Sequence, residues 1–202
     1  MDNKSFFNSL AEKWDDICYH PSEKINYVID KMGLKNGYSV LDIGSGTGIT
    51  IPYLEERIGS KGKITALDIA EKMLEISKKK NIYENLEFEI KDFFEYTTTK
   101  KFNHILAYSC YPHFKDEESF FKKAYSLLED KGKIVIAHIE SKEVINSRHK
   151  EEENNIISLK LSDVEKICEL ANEQGFKSIY KEDSEDYFIF VGEKLERHKS
   201  YR

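Results

Sequence analysis

Apolar residues recur along this chain in two alternating rhythms. Phe6, Phe7, Leu10 and Trp14 fall on one helical stripe within 5–17. Pro21 then stands where a helix accepts its first residue, and Ile25, Val28, Ile29 and Met32 follow at helical spacing until Gly33. Tyr38-Ser39-Val40-Leu41-Asp42-Ile43 is a short run of β-formers and predicts a buried strand. From there strands and helices alternate. The pattern predicts a helix over about 47–57 closed near Gly59, a strand over 63–68, and a helix over 71–80 with a lysine-rich last turn that suits the helix dipole. Strands over 86–90 and 104–108, a helix over 117–128 and a fifth strand over 134–137, opened by Gly132, continue the series.

The end of the chain differs. Residues 141–160 are polar and highly charged, with Glu151-Glu152-Glu153 near their middle, and read as a lid or an insertion. Ser162 and Glu165 have the spacing of a capping box for a helix running to about Asn172 and stopped by Gly175. Strands over 176–180 and 187–191 lie close enough to form a hairpin. Five strands alternating with helices predict an α/β fold, a doubly wound parallel sheet covered on both faces, to which the last two strands add an antiparallel edge. The expected organisation is one domain over 1–202. It comprises an N-terminal helical cap (1–34), a core (38–137), the charged segment (141–160), and a C-terminal helix and hairpin (162–192).

Composition narrows the class. At 202 residues and 40% hydrophobic, the chain is long and apolar enough for a core of its own. A net charge of −6 argues against nucleic acid, whose phosphates need clustered cations. Cys18, Cys110 and Cys168 are far apart and form no C-x-x-C, so no zinc ribbon or thioredoxin-type motif is expected; His113, His138, Glu140 and His149 could supply metal ligands, but they lack a short ligand spacing, so no metal is expected. That pattern, with no apolar leader and no run near the ~18 residues of a membrane span, gives the cytoplasm as the expected compartment.

The chemistry concentrates in Asp42-Ile43-Gly44-Ser45-Gly46-Thr47-Gly48, which joins the first strand to a helix. Ligands of open α/β sheets sit at such strand ends. A nicotinamide fingerprint needs a small residue where Ile49 stands, and a phosphate loop needs a lysine that is absent. Instead Asp42 precedes the glycines. It suits a ligand carrying an ammonium group, or it bonds backbone amides of the turn. Asp68 ends the second strand about twenty residues past the last glycine, where a carboxylate accepts from a ribose diol. Asp92 follows the third strand and is placed for an exocyclic amine, with Phe93 beside it for a purine face. Three carboxylates on successive strand ends describe a ligand with ammonium, ribose and adenine groups and no phosphate.

With these residues the chain resembles a class I S-adenosylmethionine-dependent methyltransferase of the small-molecule type. Val40 to Gly48 is similar to the family's first motif, 66–70 with Met73 and Leu74 to its second, Lys91-Asp92-Phe93 to its adenine-binding motif, and 127–133 to the segment before strand five. The resemblance implies a Rossmann-like seven-stranded sheet of order 3-2-1-4-5-7-6. It implies S-adenosyl-L-methionine as cofactor, with Gly44, Ser45 and Gly46 near its methionine part, Asp68 on the ribose, Ile69 and Met73 flanking adenine, Asp92 on its amino group, and Tyr108 at the fourth strand's end.

Methyl transfer needs alignment of donor and nucleophile, and proton removal where the nucleophile carries one. The loop Ser109-Cys110-Tyr111-Pro112-His113-Phe114 lacks the Asn/Asp-Pro-Pro-Tyr/Phe pattern of nucleic-acid amino-methylating relatives, so a small-molecule acceptor is expected. His113 is the first candidate base and His138 the second; Glu140 and His149 are placed to converge with them. Trp14, Tyr19 and His20 are expected to fold over the cofactor or to pack in the core. A non-catalytic S-adenosylmethionine-binding regulatory module is the alternative function. Oligomeric state is not readable.

Overall fold

The computed structural model describes residues 2–151 and 158–196, with the backbone alone at 149–151. Its elements are α1 (Asn3–Leu10), α2 (Trp14–Ile17), α3 (Ser22–Met32), β1 (Ser39–Ile43), α4 (Ile51–Ile58), β2 (Lys63–Asp68), α5 (Glu71–Lys80), β3 (Leu86–Ile90), β4 (Phe102–Tyr108), α6 (Glu117–Leu127), β5 (Leu128–His138), α7 (Lys142–Glu151), α8 (Val164–Glu173), β6 (Phe176–Asp183) and β7 (Phe188–Lys194). The seven strands form one sheet in the order β3-β2-β1-β4-β5-β7-β6.

Side-chain alternation divides the core into two layers. Leu41, Ile43, Ile105, Ala107, Ile134 and Ile136 face α6 and α8 with their Phe120, Phe121 and Ile167. Val40, Ala66, Leu106, Val135 and Ala137 face α3 and α4 with their Ile25, Ile29, Met32 and Leu54. Asp42 shares the second face with Val40, paired in register with Ala66 and Leu106, so a carboxylate stands in an apolar layer.

The antiparallel strand is β7, and it lies inside the edge strand β6, as the expected order 3-2-1-4-5-7-6 places it. It pairs with β5 on one side and β6 on the other. The burial pattern explains the insertion. Phe188, Ile189, Phe190 and Val191 are all fully buried, which suits a strand covered on both faces, whereas β6 after Phe176 alternates half-buried and exposed positions. Each buried phenylalanine contributes roughly 1.5–3 kcal/mol that an edge position would partly forfeit.

Several local expectations are corrected. The predicted stripe over 5–17 is not one helix: a 3₁₀ turn at Ala11–Lys13 separates α1 from α2 and buries Ala11 against Ala70 and Met73. The helix expected from 47 begins at Ile51: Gly48 holds φ 79°, outside the helical region, and Thr50 at the N-cap gives its hydroxyl to Asp42 with no side-chain cap bond to the helix. The Ser162–Glu165 capping box does not form. Lys142 draws the Asp163 carboxylate and Lys181 draws Glu165, while Asp163 takes the N-cap with no side-chain cap bond. The fifth strand also starts earlier, at Leu128.

The charged segment begins as α7, anchored where Asn146 exchanges two hydrogen bonds with Leu161, at 3.0 and 2.7 Å. Its middle, 152–157, and the side chain of His149 lie outside the described residues. The N-terminal cap is tied to the core by polar contacts. Asp15 accepts from Thr47 Oγ1 at 2.5 Å and from Lys80 Nζ at 2.6 Å, and Asn8 accepts from the Lys72 backbone N–H at 2.9 Å. Among the described residues no helix is long and apolar enough to cross a membrane.

Candidate active site

The switch point of the sheet lies between β1 and β4, where the chain leaves to opposite sides. A cavity opens there, roofed by Phe7, Trp14 and Cys18 of the cap. Of the residues singled out in the sequence, Gly44, Gly46, Asp68, Ile69, Met73, Asp92, Phe93, Tyr108 and His113 line it. Asp42, Ser45 and His138 do not.

Asp68 is the organising group. Its Oδ2 accepts from the Gly46 N–H at 2.8 Å and its Oδ1 from the Ala70 N–H at 2.7 Å. Burial raises its pKa, opposed by the N–H groups of Ala70, Gly46 and Ile69. Each oxygen keeps a further lone pair. The loop N–H that a phosphate would claim is thus committed to a carboxylate, and a ligand meets acceptors here. Asp92 accepts from the Phe94 N–H at 2.7 Å, which fixes its turn. Phe93 is also packed against Phe94, Phe114 and Phe120, and Met73 against Ala11 and Ala70. Both therefore serve the core as well as the cavity wall. The Cys110 thiol is buried, donates to the Ile43 carbonyl at 3.1 Å and is pushed up by burial, which leaves it inert as a nucleophile.

Asp42 lies beneath the loop. It is 1% exposed and accepts from Thr50 Oγ1 at 2.5 Å. Burial, and then the nearby Asp68, push its carboxyl up to about 7 against the one bond from Thr50. Its folded-state pKa is above the unfolded value of 3.8, so the folded chain holds the extra proton between those limits, and stability falls as pH rises from about 4 to about 7. Asp42→Asn is expected to gain stability over the unaltered chain at pH ~8 but not at pH ~4, read as the difference in Tm at the two pH values. Ser45 gives its backbone N–H to the Leu67 carbonyl at 3.1 Å, and its buried hydroxyl has no hydrogen-bond partner among the described residues.

A second cavity of about 540 Å³ adjoins the first. Trp14, His20, Ser109 and His113 belong to both, and His138 to the second alone. Ser109 is held at φ 54°, a left-handed conformation that non-glycine residues adopt mainly under constraint. The contact that the sequence did not announce is His20 Nδ1 to the Tyr108 hydroxyl, 2.8 Å across a separation of 88 residues. Burial holds His20 below its usual range and pushes the Tyr108 phenol up, so both are neutral near pH ~7. No local spacing signals such a pair; only the expectation that 14–20 folds over the site points toward it. Among the described residues no three His, Cys, Asp or Glu side chains are grouped to hold a metal ion.

A seven-stranded sheet in this order, with a carboxylate-rimmed cavity at its switch point, defines the class I methyltransferase fold. A family model described as a methyltransferase domain matches residues 34–189. A malonyl-[acyl-carrier protein] O-methyltransferase of Ilyobacter polytropus is 30% identical over 135 residues, 65% of this chain and 49% of its own length. A phosphoethanolamine N-methyltransferase of Zea mays is 28% identical over 185 residues, 86% of this chain and 35% of its own length. This chain therefore spans about half or less of these curated relatives. A Haloferax volcanii methyltransferase, solved in complex with the Trm112 methyltransferase activator, superposes with a TM-score of 0.80 at 17% identity, over 96% of this chain and 98% of that one. The chain belongs to the class I S-adenosylmethionine-dependent methyltransferase family. S-adenosylmethionine is the methyl donor of that family, and the lining of the first cavity fits it in kind, with the Asp68 and Asp92 carboxylates as acceptors beside apolar Ile69, Met73 and Phe93.

Proposed function

We propose that this protein transfers a methyl group from S-adenosylmethionine to a small-molecule acceptor. The observation that carries the reading is the meeting of two cavities at His20, His113, Ser109 and Trp14. A donor in the first and an acceptor in the second would face each other across these residues. Asp68 binds the ribose, Asp92 the adenine amino group, Ile69 and Met73 flank the base, and Gly44 and Gly46 let the backbone approach the methionine part. Asp42 and Ser45 act from beneath, by shaping the loop. The donor supplies an electrophilic methyl group, so the chain's own contribution is alignment, exclusion of water, and removal of a proton.

Calorimetric titration with S-adenosylmethionine and S-adenosylhomocysteine tests the first cavity. Binding of neither would sink the proposal. Incubation with methyl-labelled donor and the small-molecule fraction of a cell extract tests the second; label retained wholly on the donor would leave only a binding module.

His20 and His113 compete for the role of base, and substitution separates them. His20→Gln is expected to lower kcat/KM by about 100-fold or more and to abolish the acid limb of the pH–rate profile. That limb lies below the ordinary histidine range, because burial disfavours protonation and the base must be neutral to act. His113→Gln is expected to keep the limb. The reverse pattern would move the base to His113.

A further inference from the structure

The second cavity combines imidazoles, apolar walls and an exposed rim, and each constrains what it holds. Three imidazoles, His20, His113 and His138, are among its lining. Its cap-side wall is Phe6, Leu10, Ile17 and Tyr19, and its far wall includes Ile139 and Ile145, both nearly buried. Ile17 is 57% and Tyr19 81% exposed, so two of the most exposed large apolar side chains stand together on one rim. Contiguous exposed apolar surface at a cavity mouth marks a path for an apolar ligand.

The charges at the mouth are already matched. Lys24 donates to Asp186 Oδ1 at 2.8 Å and to the Ile139 carbonyl at 3.1 Å, and lies over the Tyr187 ring. Arg148 is paired with Glu140. A phosphate or carboxylate acceptor would have to break one of these pairs to find a cation among the described residues, and an ammonium would have to displace Arg148 from Glu140. A neutral acceptor breaks neither. A volume of about 540 Å³ lies within the range of small-molecule sites and accommodates fused rings.

We propose that this cavity takes a neutral, ring-bearing, mainly apolar acceptor that enters past Ile17 and Tyr19 and presents a hydroxyl group to His20. The assignment rests on the methyltransferase reading. In the transfer the acceptor oxygen forms its bond to the methyl carbon as the carbon–sulfur bond breaks onto sulfur. The hydroxyl proton passes to His20 and from there to water. The products are a methyl ether and S-adenosylhomocysteine.

Equilibrium dialysis on the full chain saturated with S-adenosylhomocysteine tests the acceptor class, with 2-naphthol and O-phosphoethanolamine as probes. The expected result is 2-naphthol bound at least tenfold more tightly. Ile17→Asp, at an exposed position on the rim, is expected to weaken 2-naphthol at least fivefold and to change S-adenosylhomocysteine affinity less than twofold. Equal or tighter binding of O-phosphoethanolamine overturns the assignment, as does 2-naphthol affinity indifferent to Ile17→Asp. Failure of S-adenosylhomocysteine to bind at the outset would sink the methyltransferase reading itself, which separates the two failures.

Discussion

Asp68→Ala is expected to weaken S-adenosylhomocysteine binding by about 100-fold or more, the loss of two hydrogen bonds to a charged group at ~1.5–3 kcal/mol each. The effect has two sources. One is the missing acceptor for the ribose. The other is the loop itself, since the Gly46 and Ala70 N–H groups both end on this carboxylate, at 2.8 and 2.7 Å. Asparagine is no conservative replacement, because its single carbonyl oxygen can serve only one of the two and its amide would face the other donor. Calorimetry reads the outcome, and a Tm measured alongside separates lost binding from lost fold. Affinity within threefold of the unaltered chain, with Tm intact, would remove Asp68 from the site.

Gly48→Ala is expected to lower Tm by roughly 5–15 °C. Gly48 holds φ +79°, where an L side chain costs ~1–2 kcal/mol. An added Cβ would also meet Ser77 Oγ, Asn81 Nδ2 at 2.5 Å and Ile51 Cδ1 at 2.8 Å. None of these yields easily. Ser77 is fully buried, and Asn81 is held by the Gly48 and Ser77 carbonyls. Overpacking of that kind adds ~1–3 kcal/mol, and each kcal/mol shifts a domain of this size by ~2–4 °C. Gly46→Ala isolates the clash: Gly46 also holds a left-handed φ, +54°, and carries the same conformational cost, but nothing lies within 4 Å of its Cβ position, so its Tm is expected to fall by less than that of Gly48→Ala. A Tm for Gly48→Ala within 2 °C of the unaltered chain would show that the α4–α5 contact has room that the geometry denies.

The parallel part of the sheet was legible because its strands announce themselves. Runs such as Ile105 to Tyr108 and Ile134 to Ala137 are short, apolar and bounded by turns, and a glycine-rich loop after the first of the series marks the switch point. The interior position of β7 was legible only through the family resemblance, which implies the order 3-2-1-4-5-7-6. Period and length are the same for either hairpin strand, and only the continuous burial of Phe188 to Val191 sends it inside. At the site, carboxylates on successive strand ends could be read from spacing, because topology puts those ends in one crevice. The partner of Asp42 could not, since Thr50 lies eight residues on, in another element, and no local rule links them. The His20–Tyr108 contact is further from reach still. It exists because a cap segment, broken by a 3₁₀ turn that the apolar stripe conceals, comes to rest over the end of β4.

That cap is clasped more than it is packed. Asp15 alone ties it to two places, the glycine loop through Thr47 and the end of α5 through Lys80, and its side chain and that of Lys80 are 45% and 36% exposed. One of these ties is an ion pair in contact with solvent, which dissolved salt weakens. Higher ionic strength is therefore expected to loosen one of the two Asp15 contacts that hold the cap over the first cavity, which hydrogen exchange in residues 3–17 at low and high salt would read.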